Sequence, residues 1–103
     1  MDIIGNKFLV EFEMAKAVLH IESETSLTFT TTELNGNEVN TSETVEIKMT
    51  EIRPQLFLVT WKEASGKTIT QVQDYEKETI YSNWTLTDGE FINRKGALRK
   101  VDK

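Results

Sequence analysis

At 103 residues the chain has room for one hydrophobic core and reads as a single domain, 1–103. It contains no cysteine, which excludes disulfides, thiolate catalysis and sulfur-ligated metals and suits a reducing, cytoplasmic setting. Seventeen acidic residues against twelve basic ones give a net charge of −5, spread along the chain, so neither nucleic acid nor a membrane surface is expected as a partner.

No apolar run approaches the roughly 20 residues that span a bilayer. The opening MDIIGNKFL lacks the basic and apolar regions of a secretory signal, so the sequons at Asn40–Ser42 and Asn83–Thr85 read as chance matches. The basic group Arg94, Lys95, Arg99, Lys100 and Lys103 is expected to form a solvated edge strand and tail.

Composition points to β-structure. Fourteen threonines join twenty-four Val, Ile and aromatic residues, types that fit a pleated, half-buried surface. Turn signals at Asn35-Gly36-Asn37, Arg53-Pro54, Ser65-Gly66, Asp88-Gly89 and Lys95-Gly96 punctuate the chain at meander spacing.

Residues 7–22 contain good helix formers, but a helical wheel places their polar residues on opposite sides and leaves no apolar stripe. Alternation fits better. Phe8, Val10, Phe12 and Met14 share one face; Ala15, Ala17, Leu19 and Ile21 share another of opposite parity. A parity switch at Met14-Ala15 requires a reversal or a bulge, and predicts two strands, about 7–13 and 16–22. Strands 25–34 and 43–52 follow. Residues 55–62, apolar on both faces, predict a central strand. Then come 67–75, 78–86, 90–93 and 97–101. Short links between eight or nine such strands imply antiparallel neighbours. A sheet this long in so short a chain is expected to close into an up-and-down barrel. Strand 67–75 is mixed on both faces, and its lumen side stays open.

Several of these residues form a familiar pattern. Ile52-Arg53-Pro54 precedes Leu56-Phe57-Leu58-Val59. Trp61-Lys62-Glu63-Ala64-Ser65-Gly66-Lys67-Thr68-Ile69-Thr70 is followed by Val72-Gln73-Asp74-Tyr75, Ile80-Tyr81, Gly89-Glu90-Phe91 and Lys95-Gly96-Ala97-Leu98. Over about residues 43–101 this resembles the MoaF-like domains. The resemblance implies a small calycin-like (lipocalin-like) β-barrel and carries over no catalytic residue and no cofactor. Full-length MoaF proteins hold two such modules, and this chain has length for one.

Chemistry is narrowed by elimination. His20 is the single histidine, falls on the polar face of its strand and has no nucleophile elbow to serve. One imidazole plus scattered carboxylates is a weak metal offer, and no phosphate-binding glycine loop exists. The candidate ligand-binding residues are Arg53, Trp61, Glu63, Tyr75, Tyr81 and Trp84. The tryptophans offer large faces for stacking and an N–H that needs a partner, or serve as core and end plug. The polar groups offer hydrogen bonds at a barrel mouth, or solvated turns and packing.

Three functions are compatible with this reading. The first is a barrel binding a small organic or apolar ligand in its lumen without catalysis. The second is a structural or protein-interaction module, as a homodimer for instance, with a filled interior. The third is a cofactor-free lyase resembling phenolic-acid decarboxylases and using Arg53, Glu63 and Tyr81. A lumen above roughly 300 Å³ with convergent polar groups favours the first or the third, and a filled interior with an exposed apolar patch favours the second.

Overall fold

The computed structural model describes residues 3–101. Eight strands occur among them, β1 (Lys7–Glu11), β2 (Ala15–Ser23), β3 (Ser26–Leu34), β4 (Asn37–Arg53), β5 (Leu56–Lys62), β6 (Thr68–Asp74), β7 (Thr79–Thr85) and β8 (Phe91–Lys100). Each pairs antiparallel with its sequence neighbours, and β8 returns to β1 through Phe8↔Lys100 and Glu11↔Ala97. The fold is a closed up-and-down barrel, as the strand pattern predicts. No helix long and apolar enough to cross a membrane occurs among the described residues.

The parity switch at Met14-Ala15 is a reversal. Phe12 and Ala15 exchange backbone hydrogen bonds of 2.8 and 3.3 Å, and β2 leaves with its odd residues facing inward. The β3–β4 hairpin turns on Asn35 (φ 53°) and Gly36 (φ 85°), the doubly positive geometry that matches strand twist. Between β4 and β5, Pro54 precedes Gln55 at φ 68°, as a type II turn requires. Asp74 caps the β6–β7 turn, its Oδ1 accepting from the amides of Glu76 (3.1 Å) and Lys77 (3.0 Å).

Two expectations need correction. Lys95-Gly96 is no turn, and the segments 90–93 and 97–101 are parts of one strand, β8. Gly96 serves packing there: a Cβ would lie 2.4 Å from the Glu11 carbonyl oxygen and 2.7 Å from the Phe12 ring, so only glycine lets β8 cross β1 so closely. Nor is β8 an edge strand, because barrel closure gives it two neighbours. Lys95 and Arg99 are exposed on the outer wall, where Arg99 pairs with Glu11 and Lys95 lies over the Tyr81 ring, whereas Arg94 is half-buried and pairs in register with Ser82. Lys103 falls outside the described residues.

The odd-numbered turns of the meander (β1–β2, β3–β4, β5–β6, β7–β8) gather at one end, here the upper. The lower end carries the other turns and the approach to β1. It is plugged. Ile3 is buried, and the Gly5 amide reaches the Ile21 carbonyl at 2.6 Å, which draws residues 3–6 across the base. Tyr75 packs edge-on against Phe8 (4.8 Å) and Phe57 (5.8 Å) behind that plug. The interior is therefore a cup rather than a tube.

Candidate functional site

The upper half of the barrel holds a cavity of about 520 Å³. Alternation along each strand builds its walls, since the residues facing in are every second one. Phe12 of the β1–β2 turn and Trp84 of β7 meet edge to face at 5.3 Å, while Phe29 of β3 and Trp61 of β5 stack at 6.1 Å with ring planes 28° apart. Leu19, Ile69 and Ile92 add apolar wall.

The rim is polar. Glu63 sits where β5 enters its hairpin. Its carboxylate accepts from Trp61 Nε1 at 3.4 Å and pairs with Lys67 Nζ at 3.5 Å. Glu43 of β4 anchors the same hairpin by accepting the Ala64 amide at 2.7 Å. These contacts hold Trp61 upright and set one acid–base pair at the mouth.

The deeper part is also polar, which is unusual for a small barrel core. Gln71 and Gln73 point inward from β6, and Ser82 points inward from β7 directly opposite Gln71. A single chain of hydrogen bonds links them. Tyr75 Oη donates to Gln73 Oε1 (2.6 Å), Gln73 Nε2 to Gln71 Oε1 (2.7 Å), and Gln71 Nε2 to Ser82 Oγ (3.3 Å). All four residues are buried, and Gln71 lines the cavity. Burial pushes the Tyr75 phenol far above its ordinary pKa, so it remains a neutral donor. No buried side-chain polar atom among the described residues lacks a partner.

A second hollow of about 530 Å³ lies on the outer wall across β4, β5 and β6, over Lys48, Thr60, Lys62 and Thr70. Outward-facing residues form it, and it has no aromatic enclosure comparable to the cup.

The six candidate residues divide. Trp61, Glu63 and Trp84 come together in the cup. Tyr75 lies beneath it and reaches it through the glutamine chain. Arg53 and Tyr81 lie elsewhere. Arg53 sits at the lower β4–β5 turn, exposed and paired with Glu76 at 3.3 Å. Tyr81 has the parity opposite to Ile80 and Ser82 and is 43% exposed on the outer wall. The set Arg53, Glu63 and Tyr81 is thus not assembled, and only Glu63 faces the lumen. Sequence reasoning missed Gln71, Gln73 and Ser82. Their signal was parity: the glutamines share a face with Ile69 and Tyr75, and Ser82 alternates with Ile80 and Trp84.

An eight-stranded cup with one plugged end and an aromatic interior defines a class of small barrel proteins. Within it, the MoaF-like family model matches residues 4–99, and the chain belongs to that family. No curated protein sequence matches it. A crystal structure from Burkholderia vietnamiensis, described with a provisional β-lactamase assignment, superposes with a TM-score of 0.88 over 98% of this chain and 97% of that one. The two are 20% identical, a likeness of fold.

Proposed function

We propose that this protein binds a small, largely apolar organic ligand in its cup and does so without catalysing a reaction. The observation that carries this reading is the cavity of about 520 Å³, open at its mouth and flanked by Trp61 and Trp84, with Gln71 as a buried polar group on its wall. The size falls in the ordinary range of ligand pockets, and an apolar wall with few convergent polar groups is their usual make-up. Glu63 and Lys67 at the mouth add orientation for a polar tail. A cysteine-free chain of this kind suits a reducing cytoplasm.

A lyase using Arg53, Glu63 and Tyr81 loses its support, since two of those side chains lie outside the lumen. A β-lactamase reading taken from the Burkholderia structure finds no footing in these residues. No serine here is followed three positions later by lysine, as serine β-lactamases require. Among the described residues no three His, Asp or Glu side chains gather to hold a metal. An interaction module with a filled interior conflicts with the cavity.

Titration with the fluorescent apolar probe anilinonaphthalene sulfonate tests the reading. One saturable site is expected, with quenching of tryptophan emission. Trp84→Ala should weaken it by about tenfold, the scale of one lost aromatic contact of about 1.4 kcal/mol. Tyr81→Ala, on the outer wall, should leave it unchanged. Absence of a saturable site, or equal sensitivity to both variants, overturns the proposal. Native mass spectrometry of protein from its own host should also show a retained organic mass.

A further inference from the structure

The buried chain Tyr75–Gln73–Gln71–Ser82 has a direction, and that direction reaches the ligand. A primary amide is ambiguous, because its oxygen and nitrogen ends can exchange by a flip. Linked amides must flip together. The chain therefore has two states. In one, every bond donates from Tyr75 towards Ser82; in the other, every bond donates back. The ends decide between them. Phenol is far more acidic than an alkyl hydroxyl, so it is the better donor and the poorer acceptor. The bond at the tyrosine end is also the shortest, 2.6 Å against 3.3 Å at the serine end. The Tyr75 oxygen has Gln73 Oε1 as its hydrogen-bond partner, and a reversed chain would leave a buried phenolic proton without an acceptor. Serial bonds of one sense also polarise each other, which favours the uniform arrangement over a mixed one.

The consequence appears at Gln71. Its Oε1 is turned away to accept from Gln73, and its Nε2 gives one hydrogen to Ser82. The remaining lone pair of Oε1 lies on the Gln73 side, deeper than the cavity, and what the amide holds at its other end is the second hydrogen of Nε2. We propose that the cup selects ligands whose buried end is a hydrogen-bond acceptor, a carbonyl oxygen or aromatic ring nitrogen, and that Tyr75 is the specificity-determining residue that fixes this preference without touching the ligand. The proposal rests on the ligand-binding reading above and adds to it the chemical class of the ligand's inner end.

Three bicyclic probes of similar size separate the terms: isoquinoline presents an acceptor, indole a donor, and naphthalene neither. Binding is read at pH 8 from the indole N–H cross-peaks of Trp61 and Trp84. Wild-type protein should prefer isoquinoline to indole by about tenfold, the worth of one buried hydrogen bond. Tyr75→Phe frees the chain to reverse, and the preference should fall to about twofold or invert. Tyr81→Phe, which removes a phenol on the outer wall, should keep the preference.

In ligand-free protein the Gln71 Nε2 hydrogens should show nuclear Overhauser contacts to the Ser82 β-hydrogens. In Tyr75→Phe these should weaken in favour of contacts to Gln73. If naphthalene binds while wild type shows no preference, the inference falls and the binding reading stands. If Tyr75→Phe keeps a tenfold preference, the role of Tyr75 falls. If no probe binds, the binding reading falls and takes the ligand preference with it. Contacts from the Gln71 amide hydrogens to Gln73 in the free wild-type protein overturn the assigned direction whatever the ligand result.

Discussion

Tyr75 links stability to pH as well as to the cavity. In the folded protein burial raises its pKa, so the folded state keeps a proton that the unfolded chain releases above about pH 10. A raised pKa gives a contribution fully present below the unfolded value and lost as pH climbs beyond it. Stability should therefore fall on the alkaline side by up to about 1.4 kcal/mol per pH unit from this group. In Tyr75→Phe that component disappears. At neutral pH the same variant should cost about 1–2 kcal/mol, because Gln73 Oε1 loses its donor inside the core. Urea unfolding at pH 7 and pH 11 measures both effects; equal alkaline slopes in the two proteins would refute the assignment. None of this was visible from residue type. A glutamine in a strand reads as solvent-facing, and only the placement of Ile69 and Ile80 in the core shows that Gln71, Gln73 and Ser82 face inward with them.

At the scale of elements, periodicity carried most of the information. The opposite parities of Phe8–Met14 and Ala15–Ile21 identified two strands and the reversal between them, because a pleat cannot change face by itself. The dipeptide Lys95-Gly96 misled for a physical reason: glycine serves turns and close backbone approaches alike, and the sequence does not distinguish them. The structure predicts that the two uses differ in cost. Gly89 lies in the β7–β8 turn at φ 91° with open space around it, so Gly89→Ala should cost about 1–2 kcal/mol through backbone strain alone. Gly96→Ala must push a methyl group into the Glu11 carbonyl, a neighbour held by the β1–β8 pairing. It should cost about 3 kcal/mol or more. It should also speed amide exchange selectively along β1 and β8. Thermal unfolding ranks the two variants, and a reversed order would mean that β8 relaxes away from β1 without loss. The strand set and its closure were thus legible, whereas β4, which begins at Asn37 rather than near 43, was not, since its outer half has too few apolar residues to show alternation.

For the whole molecule, closure makes the order of the strands in the chain less important than their order around the ring. The seam between β1 and β8 joins residues 88 positions apart, Glu11 and Arg99, and is antiparallel like every other seam of the barrel, though its ladder is the shortest. Both strands meet the base of the cup together: the Val101 amide donates to the Lys7 carbonyl at 2.9 Å. A circular permutant should therefore fold. A glycine-serine linker of about ten residues, able to span roughly 15–20 Å, would join residue 101 to residue 3 beneath the plug. New ends between Asp88 and Gly89 would open the β7–β8 turn at the mouth, leaving Trp61, Glu63 and Gln71 on uncut hairpins. Longer loops cost little entropy, so stability should stay within about 1–2 kcal/mol of the parent. Binding of the fluorescent probe should be retained within a few-fold. A permutant that is folded but has lost the site would show that the β7–β8 turn shapes the mouth. One that unfolds would show that pairing across β1–β8 depends on residues 3–6 entering freely to seal the base, and that the plug, more than ring closure, holds the cup together.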